Sequence, residues 1–237
     1  MSWLPTLRPR FARARRTLGE ALGIARYSYL ALNDLDRKLE RHLDFDGGQF
    51  VEAGANDGLA QSNTYYFERI RGWTGLLVEP VPELAATCRK NRRARVMEAA
   101  LVAAAPPGAT VELRTAGLMS TVTGALGDPD DTDRHVALGL AVQQLEGSRR
   151  LMVPARTLSS LLDEAGFAEP VDLLSLDVEG GEPGALRGLD FARHAPRFIC
   201  VEARDPAAIA AVLEPRYRLL EVLADVGTHR DLLYTLS

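Results

Sequence analysis

The chain has 237 residues, with 28 Lys+Arg against 32 Asp+Glu and a formal net charge of −4. A hydrophobic fraction of 46% beside 25% charged residues is ordinary globular composition and excludes a disordered chain. Net acidity argues against a dedicated nucleic-acid binder, and no stretch approaches the ~18 uninterrupted apolar residues of a membrane span.

The charge is uneven. Residues 1–26 hold six arginines and one acid, Glu20, so this stretch is +5 and the remainder −9. No apolar core follows these arginines, so the segment does not read as a secretory signal and a cytoplasmic protein is expected. Cys88 and Cys200 belong to no metal or disulfide pattern and read as two buried thiols.

Residues 8–43 read as helical, with Leu18, Leu22, Ile24, Leu30, Leu32, Leu35 and Leu39 on one side. They are expected to form a cap, residues 1–47, on a main domain of residues 48–237. From residue 48 short apolar runs alternate with amphipathic helices. Strands are expected at Gln49–Ala53, Gly75–Glu79, Arg95–Val102, Val171–Asp177 and Arg197–Glu202, with helices at Asn63–Arg71 and Pro82–Asn91. This alternation predicts an α/β fold built on a mostly parallel sheet. Tyr217–Leu223 and Asp231–Leu236 read as an antiparallel hairpin at its edge. Residues 103–150 interrupt the alternation with a strand at Thr110–Arg114, a loop through Asp133 and a helix near Arg134–Leu145. They read as an insertion, or lid, over the ligand-binding edge.

The segment Phe50-Val51-Glu52-Ala53-Gly54-Ala55-Asn56-Asp57-Gly58 places a glycine-rich turn at the carboxyl end of the first strand, where such sheets bind ligands. Glu79 ends the second strand 21 residues after Gly58 and is placed to accept hydrogen bonds from both hydroxyls of a ribose. A pyrophosphate would want GxGxxG and would be repelled by Glu52 and Asp57. Those acids suit the cationic amino-acid end of S-adenosylmethionine (SAM) instead.

A second constellation, Ser175-Leu176-Asp177-Val178-Glu179-Gly180-Gly181-Glu182, ends the fourth strand. Three acids in six residues offer a carboxylate near a transferring methyl, a general base, or hard ligands for a divalent cation. Asp177, Glu179 and Glu202 form a tentative ligand set for an ion such as Mg²⁺, although no established metal spacing is matched.

These residues resemble a family. VEAGANDG, Gln61-Ser62-Asn63-Thr64, GWTGLLVEP (Gly72–Pro80), Arg156-Thr157-Leu158 and LLSLDVEGGE (Leu173–Glu182) look like the FkbM-type methyltransferases, in the right order across residues 48–202. The resemblance implies a class I SAM-dependent methyltransferase fold, Rossmann-like, acting on hydroxyls of sugars, glycolipids or polyketide-type natural products. Glu52, Gly54, Asn56 and Gly58 match its SAM loop, where many members carry Asp at the position of Glu52. Glu79 matches its ribose acid, and Asp177 and Glu179 match its DxEG signature, with Asp177 also near the cofactor. Ser62, Asn63 and Thr64 match a subgroup motif beside the cofactor. Glu98 and Ala99 fall where adenine is usually met.

The expected reaction is O-methylation of a small-molecule hydroxyl, with Asp177, Glu179 and His229 as candidate bases and His42, His135 and His194 as weaker ones. A nitrogen or carbon acceptor is an alternative, as is a non-catalytic SAM-fold or glycan-binding module; the missing GxGxxG opposes an NAD oxidoreductase. No nucleic-acid partner is expected. The basic N-terminal segment is read as a cap beside the acidic rim in preference to a membrane anchor, and its exposed face offers a surface for a second copy.

Overall fold

The computed structural model describes residues 15–167 and 170–237. The part of the expected N-terminal helical stretch before residue 15 lies outside these residues. The main sheet has seven strands in the order β10-β11-β9-β8-β1-β2-β3. Its strands are β1 (Gln49–Ala53), β2 (Thr74–Val78), β3 (Arg95–Met97), β8 (Leu173–Leu176), β9 (Phe198–Ala203), β10 (Tyr217–Asp225) and β11 (Arg230–Leu236). β3, β2, β1, β8 and β9 run parallel, and the β10–β11 hairpin joins β9 antiparallel. The chain builds β1, β2 and β3 in one direction and later adds β8 and β9 on the other side of β1. The carboxyl ends of β1 and β8 therefore flank the switch point, the usual ligand crevice of such sheets.

Period-2 alternation sorts the strand side chains to two faces. Val51, Ala53, Leu76, Val78, Leu174, Leu176, Ile199 and Val201 enter one core, closed by α6 (Leu158–Ala165), α7 (Glu182–Arg187) and α8 (Pro206–Leu213). Phe50, Leu77, Leu173, Cys200 and Leu233 enter the other, closed by α2 (Leu35–Glu40), α3 (Tyr65–Arg69), α4 (Pro82–Asn91) and Trp73. Both cysteines are buried, and burial raises both thiols. Among the described residues, no helix is long and apolar enough to cross a membrane.

Capping residues fix the helix starts. Asp205 accepts from the N–H of Ala207 and Ala208 ahead of Pro206, and Thr157 accepts from Ser160 N–H at the start of α6. Gly166, at φ 69°, ends α6.

Three elements differ from expectation. The expected third strand divides: β3 stays in the main sheet, while β4 (Ala100–Leu101) leaves it for a second sheet, ordered β4-β7-β5-β6. That sheet adds β5 (Thr110–Arg114), β6 (Thr121–Val122) and β7 (Arg150–Arg156). β7 lies outside the expected strands, because Pro154 interrupts the alternation of Leu151, Val153 and Ala155. Helix α5 (Pro129–Gln143) starts earlier than the expected Arg134, because Asp128 caps it and Pro129 occupies its first turn. The N-terminal region is not one amphipathic helix. A helix over residues 15–21 (α1) is followed by single turns at Ala25–Tyr27 and Leu32–Asp34 before α2. Asn33 and Asp34 both take φ 55°, which no α-helix continues through. Leu35 and Leu39 are buried as expected, whereas Leu18, Leu22, Ile24 and Leu32 are exposed.

Candidate active site

The carboxyl ends of β1, β2 and β8 border a cleft. Its floor is the turn after β1. The N–H groups of Gly54 and Ala55 donate to the carbonyl of Val78 at 3.0 and 3.1 Å, which bends the turn over β2. Gly54 has φ +85°, and a Cβ there would stand 1.8 Å from the carbonyl oxygen of Asp177. Only glycine lets β1 and β8 approach so closely. Gly58 answers a different constraint. Its Cβ would lie 2.7 Å from Arg92 Cγ and 2.8 Å from Cys88 Sγ, so it admits α4 beneath the loop.

Glu79 is held rigidly at the rim. Asn56 N–H donates to its Oε2 at 2.8 Å and Val81 N–H to its Oε1 at 2.9 Å. Burial pushes its carboxyl up to about 7, against the opposing pull of those two N–H groups. Each oxygen keeps a lone pair free for another donor.

Glu52 is not a free anion. Its carboxylate accepts from Ser62 Oγ (2.9 Å), Asn63 N–H (2.8 Å) and Thr64 Oγ1 (2.5 Å) and meets Arg92 Nη1 at 3.3 Å. Ser62 and Thr64 are buried behind it and do not line the cleft. Asp57 is also engaged elsewhere: its Oδ1 accepts from the N–H of Leu59 and Ala60. Asn63 does line the cleft, donates to Ser175 Oγ at 3.0 Å, and leaves its Oδ1 without a partner. Ala99 lines the cleft as well, but Glu98 turns to Arg89, 3.6 Å away, and does not.

The insertion supplies the opposite wall through Leu113, Gly117, Leu118, Ser120 and Val122. None of these carried a motif, because a wall that only excludes water needs no particular residue.

At the β8 end the three acids separate by role. Glu182 closes its own turn: its carboxylate accepts from Val178 N–H at 2.8 Å and Gly180 N–H at 3.1 Å. Asp177 and Glu179 line the cleft. Glu179 sits at φ 56°, and its carbonyl accepts from Thr121 Oγ1 of the insertion at 2.7 Å. A left-handed non-glycine residue held from two sides is the kind of strain that accompanies functional sites.

Asp177, Glu179 and Glu202 bring carboxylate oxygens within 4.8 Å of one another. Burial raises all three. Asp177 lies well above its ordinary value, also through Glu202 and Glu182, and Glu179 and Glu202 reach about 8. Asp177 Oδ1 has no hydrogen-bond partner. The set is hard oxygen, as a divalent ion requires. A cation of the chain itself also stands beside two of these acids. Arg204 Nη2 lies 2.5 Å from Glu179 Oε2 and 3.5 Å from Glu202 Oε1. The three acids expected to hold Mg²⁺ do converge, and Arg204, two residues after Glu202, joins two of them.

Two histidines back the cluster. His135 Nε2 lies 3.0 Å from Met119 O and 3.3 Å from Glu179 Oε2. The Met119 carbonyl can only accept, so Nε2 carries the proton. His229 Nε2 stands 3.4 Å from Glu202 Oε2. Burial and Arg204 lower both histidines, and neither lines the cleft. His229 therefore meets Glu202, which does not line the cleft either. His42 and His194 pair with Glu221 and Asp163 at the surface, away from the cleft.

The Methyltransferase FkbM domain model matches residues 52–228. No curated protein matches the chain. Among solved structures, an FkbM methyltransferase from Methylobacillus flagellatus aligns with a TM-score of 0.47 at 15% identity, over 80% of this chain and 44% of its own. The chain thus spans less than half of that protein. A TehB-like SAM-dependent methyltransferase from Corynebacterium glutamicum aligns with a TM-score of 0.46 at 10% identity, over 97% of this chain and 100% of its own. TrmN from Thermus thermophilus aligns with a TM-score of 0.44 at 13% identity, over 90% and 51%.

Proposed function

The chain belongs to the FkbM methyltransferase family and is a SAM-dependent methyltransferase, and from that premise we propose that it methylates a hydroxyl oxygen of a sugar or polyketide-type small molecule. The observation that carries this reading is Glu179: a strained, cleft-lining carboxylate whose proton affinity sits near neutral pH. An alcohol needs a base as it attacks, and a base works best with a pKa close to the working pH. A neutral amine would need no such group.

The cleft suits SAM on its own geometry. Glu79 offers two acceptor oxygens for ribose hydroxyls, and the unpartnered Asp177 Oδ1 and Asn63 Oδ1 suit a cationic amino-acid end. When bound, SAM supplies a methyl group already activated on a sulfonium. A positive charge beside Asp177 and Glu179 lowers their pKa values, so Glu179 is ionised when it is needed. As the methyl group passed from the sulfonium to the acceptor oxygen, Glu179 would take the hydroxyl proton. With the cofactor's positive charge gone, Glu179 would regain its high proton affinity and keep the proton.

Two results test the cofactor and metal assignments. Ribose hydroxyls donate to the ionised form of Glu79. With its carboxyl near 7, S-adenosylhomocysteine affinity should fall about tenfold between pH 8 and pH 6. Glu79→Gln should flatten that dependence; an unchanged slope in calorimetry would remove Glu79 from the ribose. Arg204 stands beside two of the three acids, so EDTA should leave turnover unchanged. Loss of activity in EDTA with recovery on adding Mg²⁺ would restore the metal reading. Product analysis with hydroxyl- and amino-bearing sugars decides the acceptor atom, and exclusive N-methylation would sink the proposal.

A further inference from the structure

Helix α1, residues 15–21, is turned opposite to its composition. Its glutamate faces the domain: Glu20 is 3% exposed at the side chain and accepts from Tyr65 Oη (2.9 Å), Arg69 Nε (2.9 Å) and Ser28 Oγ (3.2 Å). Gly19 beside it packs so closely on Tyr27 that a Cβ would stand 2.2 Å from the ring. These contacts fix the inward side. Leu18 and Leu22, one turn apart on the other side, are 64% and 67% exposed, and Ile24 follows at 38%. A helix on a globular domain ordinarily buries its leucines and shows its acids to water.

The charge around this face is one-sided. The segment's single acid is the buried Glu20, while Arg15 and Arg26 are exposed. Upstream, the sequence interleaves Trp3, Leu4, Leu7 and Phe11 with Arg8, Arg10 and Arg13. Exposed leucines flanked by arginines match a surface whose headgroups are anionic and whose interior is apolar. A second copy of the chain offers a net acidic body, which matches the arginines but not the leucines between them.

We propose that the Leu18–Leu22–Ile24 face, with its flanking arginines, docks on an anionic lipid surface. The remaining −9 of the chain orients the molecule, since it is repelled by the surface that attracts the +5 segment. Further along the chain from this face, Ala31 pairs with Gln61, which lines the cleft. This inference stands on charge and exposure alone and not on the methyl-transfer reading.

The test is co-sedimentation of the full chain with vesicles of phosphatidylcholine alone or mixed with phosphatidylglycerol. The expected result is binding to the mixed vesicles only, weakening as NaCl is raised. Leu18→Glu with Leu22→Glu should cut partitioning by at least about tenfold. S-adenosylhomocysteine affinity should be unchanged in that variant, showing that the domain is intact. Failure of the native chain to bind mixed vesicles would overturn the proposal. So would binding that the leucine variant does not weaken, or a dimer in sedimentation velocity that the variant disperses without any vesicle binding.

Discussion

Glu179→Gln should lower kcat by about 10²–10⁴-fold while S-adenosylhomocysteine still binds. Glutamine keeps the volume, and its carbonyl oxygen still accepts from Arg204, so the cluster's shape survives. What disappears is the anion that takes the hydroxyl proton. In the native chain, kcat/KM should rise with pH through the region near 8 where Glu179 and Glu202 titrate together. In the variant that limb should vanish, leaving a low profile that keeps only the cofactor-binding limb of Glu79 near 7. A variant retaining more than about a tenth of native turnover would move the base elsewhere, with Asp177 the next group to replace. Splitting kcat from cofactor affinity matters because a collapsed cleft lowers both together.

Arg92→Met should destabilise the protein by about 3–5 kcal/mol, although Arg92 itself does not line the cleft and reaches it only through Glu52. The Arg92 side chain is fully buried. It bonds Glu68 Oε2 (3.1 Å), Glu52 Oε2 (3.3 Å), Ser62 Oγ (2.9 Å), Thr64 Oγ1 (2.8 Å) and the Gly58 carbonyl (3.1 Å). Methionine fills similar space but leaves two buried carboxylates without their cation. Those carboxylates cannot reach water, so each loses its main compensation. For a chain of this size the melting midpoint should drop by about 6–20 °C. Because the same arginine ties Ser62 and Thr64 to Glu52, cofactor affinity should fall as well, even though Arg92 touches no ligand. Addition of Glu68→Gln should recover part of the stability by removing one orphaned charge. A shift of less than about 1 kcal/mol in urea unfolding would show the network to be dispensable.

Much of the fold was written in local pattern. Apolar runs such as Gly75–Val78, bounded by Pro80 and followed by a proline-started helix, leave little choice of element. Their alternation leaves little choice of sheet. The weak point was the N-terminal region. Its leucines at helical spacing predict burial, but the acid Glu20 found stronger partners in Tyr65 and Arg69, and the leucines turned outward. Periodicity counts apolar residues and is blind to a single buried hydrogen-bond hub. β7 was hidden for a similar reason, since its pairing with both β4 and β5 stabilises a strand that Pro154 argues against.

The sequence by itself determined the sheet, the cleft at its switch point and the positions of Glu79, Asp177 and Glu179, because each follows from a strand end and a short motif. Tertiary structure alone decided what those motifs do. Glu52 and Asp57 read as ligands for a cationic cofactor, yet their carboxylates are engaged by the chain's own donors. Gly54 and Gly58 look alike in the motif, yet one admits a neighbouring strand and the other a helix. The proposed metal ligands are joined by Arg204, and Glu179 is backed by His135 from a helix that no motif linked to the site. Backbone pattern is local and repeats every two or four residues. The partner of a buried charge comes from whichever element packs against it, often tens of residues away, and electrostatics in a low-dielectric interior makes that partner decisive.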